Sequence, residues 1–430
     1  MLTPGITNAV EIMKSLSVSG FSAFIVGGAV RDILLCQEPA DIDIATTASL
    51  EQVCALWPEA HIVGKPGSKS AVLPFAERVF DVVSFAEGDL SGELLRRDFT
   101  INAMALSASG ELHDPWGGVK DLAHGLVKAT GRAKDRLAED PLRALRAARL
   151  VAGFSRFRID MATASSCRQA APALKGTAPE RTGKEVLKAL RDGPSRFLAE
   201  LESLNLVEAA LPFLADLRGV QQDERLHPEG DAYTHTLACC EIMEDFSSDP
   251  ALRAAALLHD IGKKKCARNI SEGISFKGHE ETGAEMVGDI MRRWAWPKGL
   301  AKDITRLVRW HSLPSGETDP QSIRRLLEQY GSFWMNRLFL LCKADLLAGS
   351  GNLAKWHENR RLAVGTAFRL AGSRSPLDGK DVMEILGIEE GPMVGRALSA
   401  LAVEMEQKGP MNTEEAADFL SHWFLEDKAP

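Results

Sequence analysis

The stretch that most constrains this chain lies near its start. It reads Phe24-Ile25-Val26-Gly27-Gly28-Ala29-Val30-Arg31-Asp32 and is followed by Asp41-Ile42-Asp43-Ile44. The apolar run predicts a short buried strand, and the Gly27-Gly28 pair that ends it lets backbone approach a ligand closely. From Ala29 to Leu35 the pattern is helical, so the glycines fall at a helix N-terminus, where free N–H groups and the dipole favour phosphate. Asp41 and Asp43 stand two apart in a second strand-like stretch. Such residues share a strand face, about 6.5–7 Å apart. Two carboxylates beside a phosphate cradle describe a Mg2+ site for a nucleoside triphosphate. An isolated D-x-D is more often a solvated turn; its coupling to GGAVRD favours the metal site here.

Two more motifs follow: Arg96-Arg97-Asp98-Phe99-Thr100-Ile101-Asn102-Ala103-Met104 and Glu139-Asp140-Pro141-Leu142-Arg143. In this order, the four stretches resemble the successive motifs of class II tRNA nucleotidyltransferases, the family of bacterial CCA-adding enzymes and poly(A) polymerases. The resemblance spans roughly residues 20 to 220. It implies an α+β fold, with a small N-terminal α/β nucleotidyltransferase head (antiparallel or mixed sheet plus helices) followed by all-helical neck, HD and tail regions. It also implies catalytic roles for Asp41, Asp43 and Asp81, the last on the alternating stretch Phe80–Phe85. Gly27, Gly28, Arg31 and Asp32 then line the nucleotide. Arg97 and Asp98 contact the ribose, which a guanidinium fork and an acceptor can do through a 2′-OH, and Asn102 suits either that role or a helix start.

Asp140 and Arg143 correspond to the family's protein template for the incoming base. On a helix they share a face, whereas Arg146 and Arg149, also candidate nucleotide contacts, rotate progressively away. Cytosine and adenine both offer an exocyclic amine beside a ring-nitrogen acceptor. A carboxylate accepts from the amine and a guanidinium donates to the nitrogen; uracil and guanine would turn a carbonyl toward the carboxylate instead. Structural readings stand beside these roles: Asp98 as N-cap of a helical INAMALS, and Asp140-Pro141 as a helix start. Glu180-Arg181 and Glu185 read as a bracing ion pair.

A second constellation begins after a shift in composition at RGVQQDERLHPEG. It comprises His235, His259-Asp260, His279, His311 and Asp345. A lone His-Asp pair in an apolar helix is usually a core histidine. This succession, however, follows the order seen in HD-domain metal phosphohydrolases, which implies a transition metal such as Mn, Ni or Co. Neutral imidazoles at such a site also need hydrogen-bond acceptors behind them.

At 430 residues the chain exceeds one ordinary core. We divide it into a head (1–130), a neck (131–222), an HD region (223–350) and a tRNA-binding tail (351–430). Its net charge of −8 suits an RNA enzyme poorly until it is divided: Gly131 to Arg196 holds fifteen Lys/Arg against seven Asp/Glu. A local basic stripe of that kind is the footprint of phosphate-backbone binding. Seven cysteines without C-x-x-C spacing argue for a reducing cytoplasm, and no signal-like or membrane-spanning stretch is present. The expected partners are the tRNA 3′ end, CTP and ATP, with Mg2+ in the head.

One departure bears on specificity. Most CCA-adding relatives carry a longer connection before RRDF, usually with a basic, Gly-containing loop that is implicated in the switch from C to A addition. Here only Ala86-Glu87-Gly88-Asp89-Leu90-Ser91-Gly92-Glu93 intervenes before Leu94. That makes a CC-only product an alternative to CCA. Poly(A) synthesis, or an HD phosphohydrolase acting on cyclic or 2′-phosphates with an RNA-gripping head, are further alternatives.

Overall fold

The computed structural model describes residues 3–65, 68–270, 273–372, 376–408 and 411–427. Seven strands form one mixed sheet: β1 (Ala23–Val26), β2 (Asp43–Thr46), β3 (His61–Lys65), β4 (Ser68–Phe75), β5 (Arg78–Ser84), β6 (Ala105–Ser107) and β7 (Leu112–His113). Their order is β3-β4-β5-β2-β1-β6-β7, with β2 and β5 parallel and the other neighbours antiparallel. Five helices accompany the sheet: α1 (Pro4–Val18), α2 (Gly28–Leu34), α3 (Leu50–Leu56), α4 (Leu90–Leu95) and α5 (Gly118–Ala123). Strand alternation decides the two faces. Ile25, Ile44 and Val82 join Ile12, Met13 and Leu16 of α1 in the large core, while Val26 and Ala45 pack with Phe85, Leu94 and Ala103 on the other side. Each fully buried aliphatic side chain of this kind contributes about 1.5–3 kcal/mol.

Three local expectations are corrected. The D-x-D does not lie wholly in a strand, because β2 begins only at Asp43 and Asp41 sits in the bend before it. INAMALS is not a helix: a 3-10 turn over Thr100–Asn102 leads into β6, which pairs with β1. Phe99, Ile101, Ala103, Met104 and Ala105 are all buried, so the stretch has no polar face to give a helix. Nor does Asp140 start a helix. It closes α6 (Ala133–Glu139) in an extended conformation, and α7 (Arg143–Gly153) begins three residues later.

The neck continues with a short parallel pair, β8 (Leu126–Val127) and β9 (Arg158–Ile159), and with α8 (Met161–Leu174), α9 (Pro179–Asp192), α10 (Pro194–Ser203), α11 (Val207–Ala210) and α12 (Pro212–Ala215). Next come α13 (Ala232–Phe246), α14 (Pro250–Leu258), α15 (Lys263–Cys266), a hairpin of β10 (Arg268–Ile270) and β11 (Gly273–Ser275), α16 (His279–Arg293), α17 (Lys298–Trp310), α18 (Pro320–Ala348) and α19 (Ala354–Gly372). Gly331 (φ 80°) kinks α18. Head, neck and these helices share one continuous hydrophobic core, from Ile6 to Ala363. The last helices, α20 (Gly379–Leu386), α21 (Pro392–Lys408) and α22 (Thr413–Asp427), close around a core of their own. Among the described residues, no helix is long and apolar enough to cross a membrane.

Candidate active site and metal cluster

Asp43 opens β2 directly in register with Asp81 of the parallel strand β5, so the two carboxylates share a sheet face. The Asp41 side chain, in the entering bend, is 83 % exposed against 36 % for Asp43. Burial raises the Asp81 carboxyl, the charges of Asp43 and Asp41 raise it further, and Lys184 opposes them. The three acids therefore feel one another's charge. Two cations stand at their edge: Arg97 Nη1 donates to Asp43 Oδ2 at 2.8 Å, and Lys188 Nζ lies 3.8 Å from Asp41 Oδ2. Mutually repelling carboxylates with an open side fit a hard divalent ion such as Mg2+. Gly27 (φ 81°) gives this site its tightness: a Cβ there would lie 2.9 Å from Arg97 Nη1 and 3.1 Å from Asp43 Oδ2.

Other motif residues form a polar chain leading away from the acids. Arg31 is spent on Asp32 (2.6 and 2.8 Å) and donates to Asn102 Oδ1 at 2.8 Å. Asn102 Nδ2 donates to Asp98 Oδ1 at 2.9 Å, and Asp98 Oδ2 lies 3.6 Å from Arg146. Arg146 and Arg149 converge on the buried Glu185, at 3.1 and 2.8 Å. Arg31, Arg146 and Arg149 are thus braced inside the protein. The geometry also separates Asp140 from Arg143. Arg143 donates to the carbonyls of Arg96 (2.9 Å) and Arg136 (2.8 Å) and to Glu139 (3.2 Å). The guanidinium on Asp140 is that of Arg181, from α9, at 2.7 Å.

The six residues of the second constellation come together. His235 lies on α13, His259 and Asp260 directly follow α14, His279 begins α16, His311 directly follows α17, and Asp345 lies on α18. His235 Nε2 is 2.8 Å from Asp345 Oδ1 and 3.4 Å from His259 Nε2. His279 Nε2 is 3.3 Å from His311 Nε2 and 3.4 Å from Asp260 Oδ1. Each outer nitrogen has an acceptor. Nδ1 of His259, His279 and His311 donates to the carbonyl of Ala256, Phe276 or Val308 at 2.7–3.0 Å, and Nδ1 of His235 donates to Glu229. The Nε2 lone pairs therefore face inward against each other and against two acids. Neighbouring lone pairs about 3 Å apart suit the ligands of an ion with bonds of roughly 2.0–2.2 Å. Burial, with His279 and His259 adding to it, pushes His311 down to about 4, whereas at His259 and His279 burial is outweighed by Asp260, which raises both imidazoles; a bound cation would have to displace those protons. Burial works against charge on Asp260, but His259 and Lys263 outweigh it and hold the carboxyl well below its ordinary range. The donor set fits a divalent metal, with His235, His259 and Asp345 forming one group and Asp260, His279 and His311 another.

Comparison with known proteins accords with this geometry. Residues 23–128 match a poly A polymerase head domain, 156–217 a probable RNA and SrmB-binding site of polymerase A, and 232–345 an HD domain. The chain is 34 % identical over 429 residues to the A-adding tRNA nucleotidyltransferase of Deinococcus radiodurans, covering 93 % of this chain and 95 % of that one. It is 33 % identical over 377 residues to the multifunctional CCA protein of Nitrosococcus oceani, covering 81 % and 89 %. The chain belongs to the tRNA nucleotidyltransferase family. Among solved structures, a Bacillus stearothermophilus CCA-adding enzyme in complex with CTP matches over 99 % of both chains, with a TM-score of 0.62 at 23 % identity. That likeness speaks for the fold. The two catalogued domain types, head and HD, both imply divalent metal use.

Beside the motif residues, the structure places further charged groups near the two clusters. Arg181, Lys184 and Lys188 bring one face of α9 to the acids of head and neck. Glu93, in the shortened connection, is buried 3.6 Å from Arg97, which it shares with Asp43. In the HD cluster, Lys263 Nζ lies 2.6 Å from both Asp260 Oδ2 and Gln222 Oε1. The stretch around Gln222 to Glu229, whose composition suggests a domain boundary, folds directly against the HD cluster.

Proposed function

We propose that the chain transfers nucleotides from CTP or ATP to tRNA 3′ ends. Asp41, Asp43 and Asp81 would hold Mg2+, Gly27 and Gly28 would admit the triphosphate, and Arg97 with Asp98 would meet the ribose. The observation that carries this reading is the Asp43–Asp81 register beside Asp41, opposite a basic face of α9. The chemistry Mg2+ supplies there is activation of the terminal hydroxyl and neutralisation of the departing pyrophosphate. The chain's own part is to orient the triphosphate and select the base. Asp140, held by Arg181, would accept from the amine of C or A, and Arg143, at the start of α7 and bound here to the Arg96 and Arg136 carbonyls, would have to leave them to donate to the ring nitrogen.

The connection between β5 and α4 is short, and α4 is pinned: Trp116 Nε1 donates to Ser91 O at 3.2 Å and Asp89 caps the helix. This supports a chain dedicated to part of the CCA sequence. The test is incorporation of each labelled nucleotide by the full chain into tRNAs ending before, within and after CC. Incorporation of C and A in sequence would overturn the dedicated reading. Absence of any incorporation with Mg2+ would overturn the transferase reading.

The inward-facing Nε2 atoms favour a second activity, metal-dependent phosphohydrolysis of cyclic or 2′-phosphates with Mn, Ni or Co in the HD cluster. The chemistry such an ion supplies is activation of water for attack on phosphorus. Metal analysis of the purified protein tests it, and protein that retains none of these ions after reconstitution would refute it.

A further inference from the structure

We propose that Glu229 is a positioning residue: it fixes His235 as a metal ligand from the segment that joins the neck to α13. This inference rests on the metal reading of the HD cluster. His259, His279 and His311 stand at helix ends, and each turns Nδ1 onto the carbonyl three residues before it. His235 cannot do the same. It lies in the first turns of α13, where the Asp231 carbonyl already accepts from the His235 N–H and the Ala232 carbonyl accepts from the Thr236 hydroxyl. Its ring therefore needs an acceptor from outside the helix.

Glu229 supplies one. Its Oε1 accepts from His235 Nδ1 at 2.6 Å and from His227 Nδ1 at 2.9 Å, and the two rings meet edge to face at 4.7 Å. The other oxygen, Oε2, is buried and has no hydrogen-bond partner. A half-satisfied buried carboxylate is costly, so its position calls for a reason beyond packing. Locking the His235 proton on Nδ1 leaves Nε2 free toward His259 and Asp345, and a carboxylate behind an imidazole raises its strength as a ligand. His227 occupies the second lone pair of Oε1 and so holds the carboxylate in place.

The experiment uses the full chain, stripped with chelator and titrated with Co2+ and with Mn2+, followed by the Co2+ d–d absorption and by equilibrium binding. The variants are Glu229→Met, which keeps length without an acceptor, and Glu229→Gln, which keeps an acceptor without charge. Melting of the metal-free proteins is the folding control. Glu229→Met should bind roughly ten- to a hundredfold more weakly, with altered Co2+ bands, and Glu229→Gln should recover part of the loss. A purely structural role predicts wild-type affinity and bands in Glu229→Met, and that result overturns the inference. So does a loss of one whole ion per chain in both variants, because Glu229 would then be a ligand itself. If Glu229→Met fails to melt cooperatively, Glu229→Gln decides: unchanged affinity and bands overturn the inference, and a severalfold loss supports it. Wild-type protein that takes up neither ion refutes the underlying metal reading instead, a distinct outcome.

Discussion

Replacing Asp140 by alanine separates base reading from helix geometry. The carboxylate makes two contacts, an ion pair with Arg181 at 2.7 Å and an acceptor site for the Leu142 N–H at 3.3 Å. Arg181 is 48 % exposed, so water screens the pair, and such pairs contribute about 0.2–1 kcal/mol. The lost N–H partner adds roughly 1 kcal/mol. Stability should therefore fall by no more than about 2 kcal/mol. The catalytic cost is expected to be larger. A charge-assisted hydrogen bond from the cytosine amine contributes on the order of 1.5–3 kcal/mol, roughly ten- to a hundredfold in kcat/KM for CTP. UTP should lose less, since its carbonyl no longer faces a carboxylate. The decisive quantity is the UTP to CTP ratio of kcat/KM, measured beside the melting temperature on one tRNA. A lowered melting temperature with an unchanged ratio would mean that Asp140 only closes α6. Arg181→Ala is the companion variant: it should reduce CTP use less than Asp140→Ala does, because it frees the carboxylate without removing it.

Gly27→Ala should reduce nucleotide addition by far more than it lowers stability. Its φ of 81° strains an L-residue, and the added Cβ would push on Arg97 and Asp43; wild-type turnover would refute the close-approach argument. His259→Ala with Asp260→Ala should abolish transition-metal binding in the HD cluster while nucleotide addition persists, read by metal content and CTP incorporation on one preparation. For Glu93, burial raises the carboxyl and the neighbouring arginines only partly offset it. A carboxyl whose folded pKa exceeds its unfolded one favours the fold below the unfolded value and loses that contribution as pH rises through the folded one. Melting of wild type relative to Glu93→Gln should therefore fall as pH rises from about 4 through the raised value, and a pH-independent difference would refute the burial argument.

What the sequence made legible was what depends on short spacing. The Gly-Gly turn and the order of the motifs lie along continuous stretches, and the resemblance they carry implied the antiparallel or mixed sheet; that Asp41 sits in the bend before β2 was not legible. The shared helical face read for Asp140 and Arg143 is absent for a physical reason. A spacing of three puts side chains on one face only within a helix, and the chain leaves helical geometry at Asp140 (φ −145°) before α7 begins. The guanidinium that meets Asp140 is that of Arg181, 41 residues away in sequence and fixed by tertiary packing alone. Asp81 was legible as a strand residue, but its register with Asp43 depends on a parallel pairing that no local pattern encodes. The acceptors behind His259, His279 and His311 are main-chain carbonyls, which leave no mark in a sequence. Glu229 does leave a mark, two residues after His227 and six before His235, but it sits in a polar stretch that reads as a linker.

The two chemical centres are joined through one helix. Toward the head and neck, α9 presents Arg181 to Asp140, Glu185 to Arg146 and Arg149, and Lys188 to Asp41. Its far end is held by the HD helices: the buried Arg253 of α14 donates to the carbonyls of Leu190 and Arg191 at 2.9 and 2.8 Å. Gly183 in its middle lies against Trp294 so closely that a Cβ would collide with the indole, and Trp296 Nε1 donates to the Gly183 carbonyl at 2.9 Å. A buried guanidinium capping a helix C-terminus satisfies orphan carbonyls and complements the dipole, so Arg253 fixes the end of α9. The HD helices therefore set where the basic face of α9 stands relative to Asp41 and Asp81, whatever the metal cluster does. That placement accounts for the single core shared by head, neck and HD helices. Arg253→Ala is therefore expected to lower CTP incorporation through α9 without touching a ligand of either site, and unchanged incorporation by a folded variant would refute this coupling.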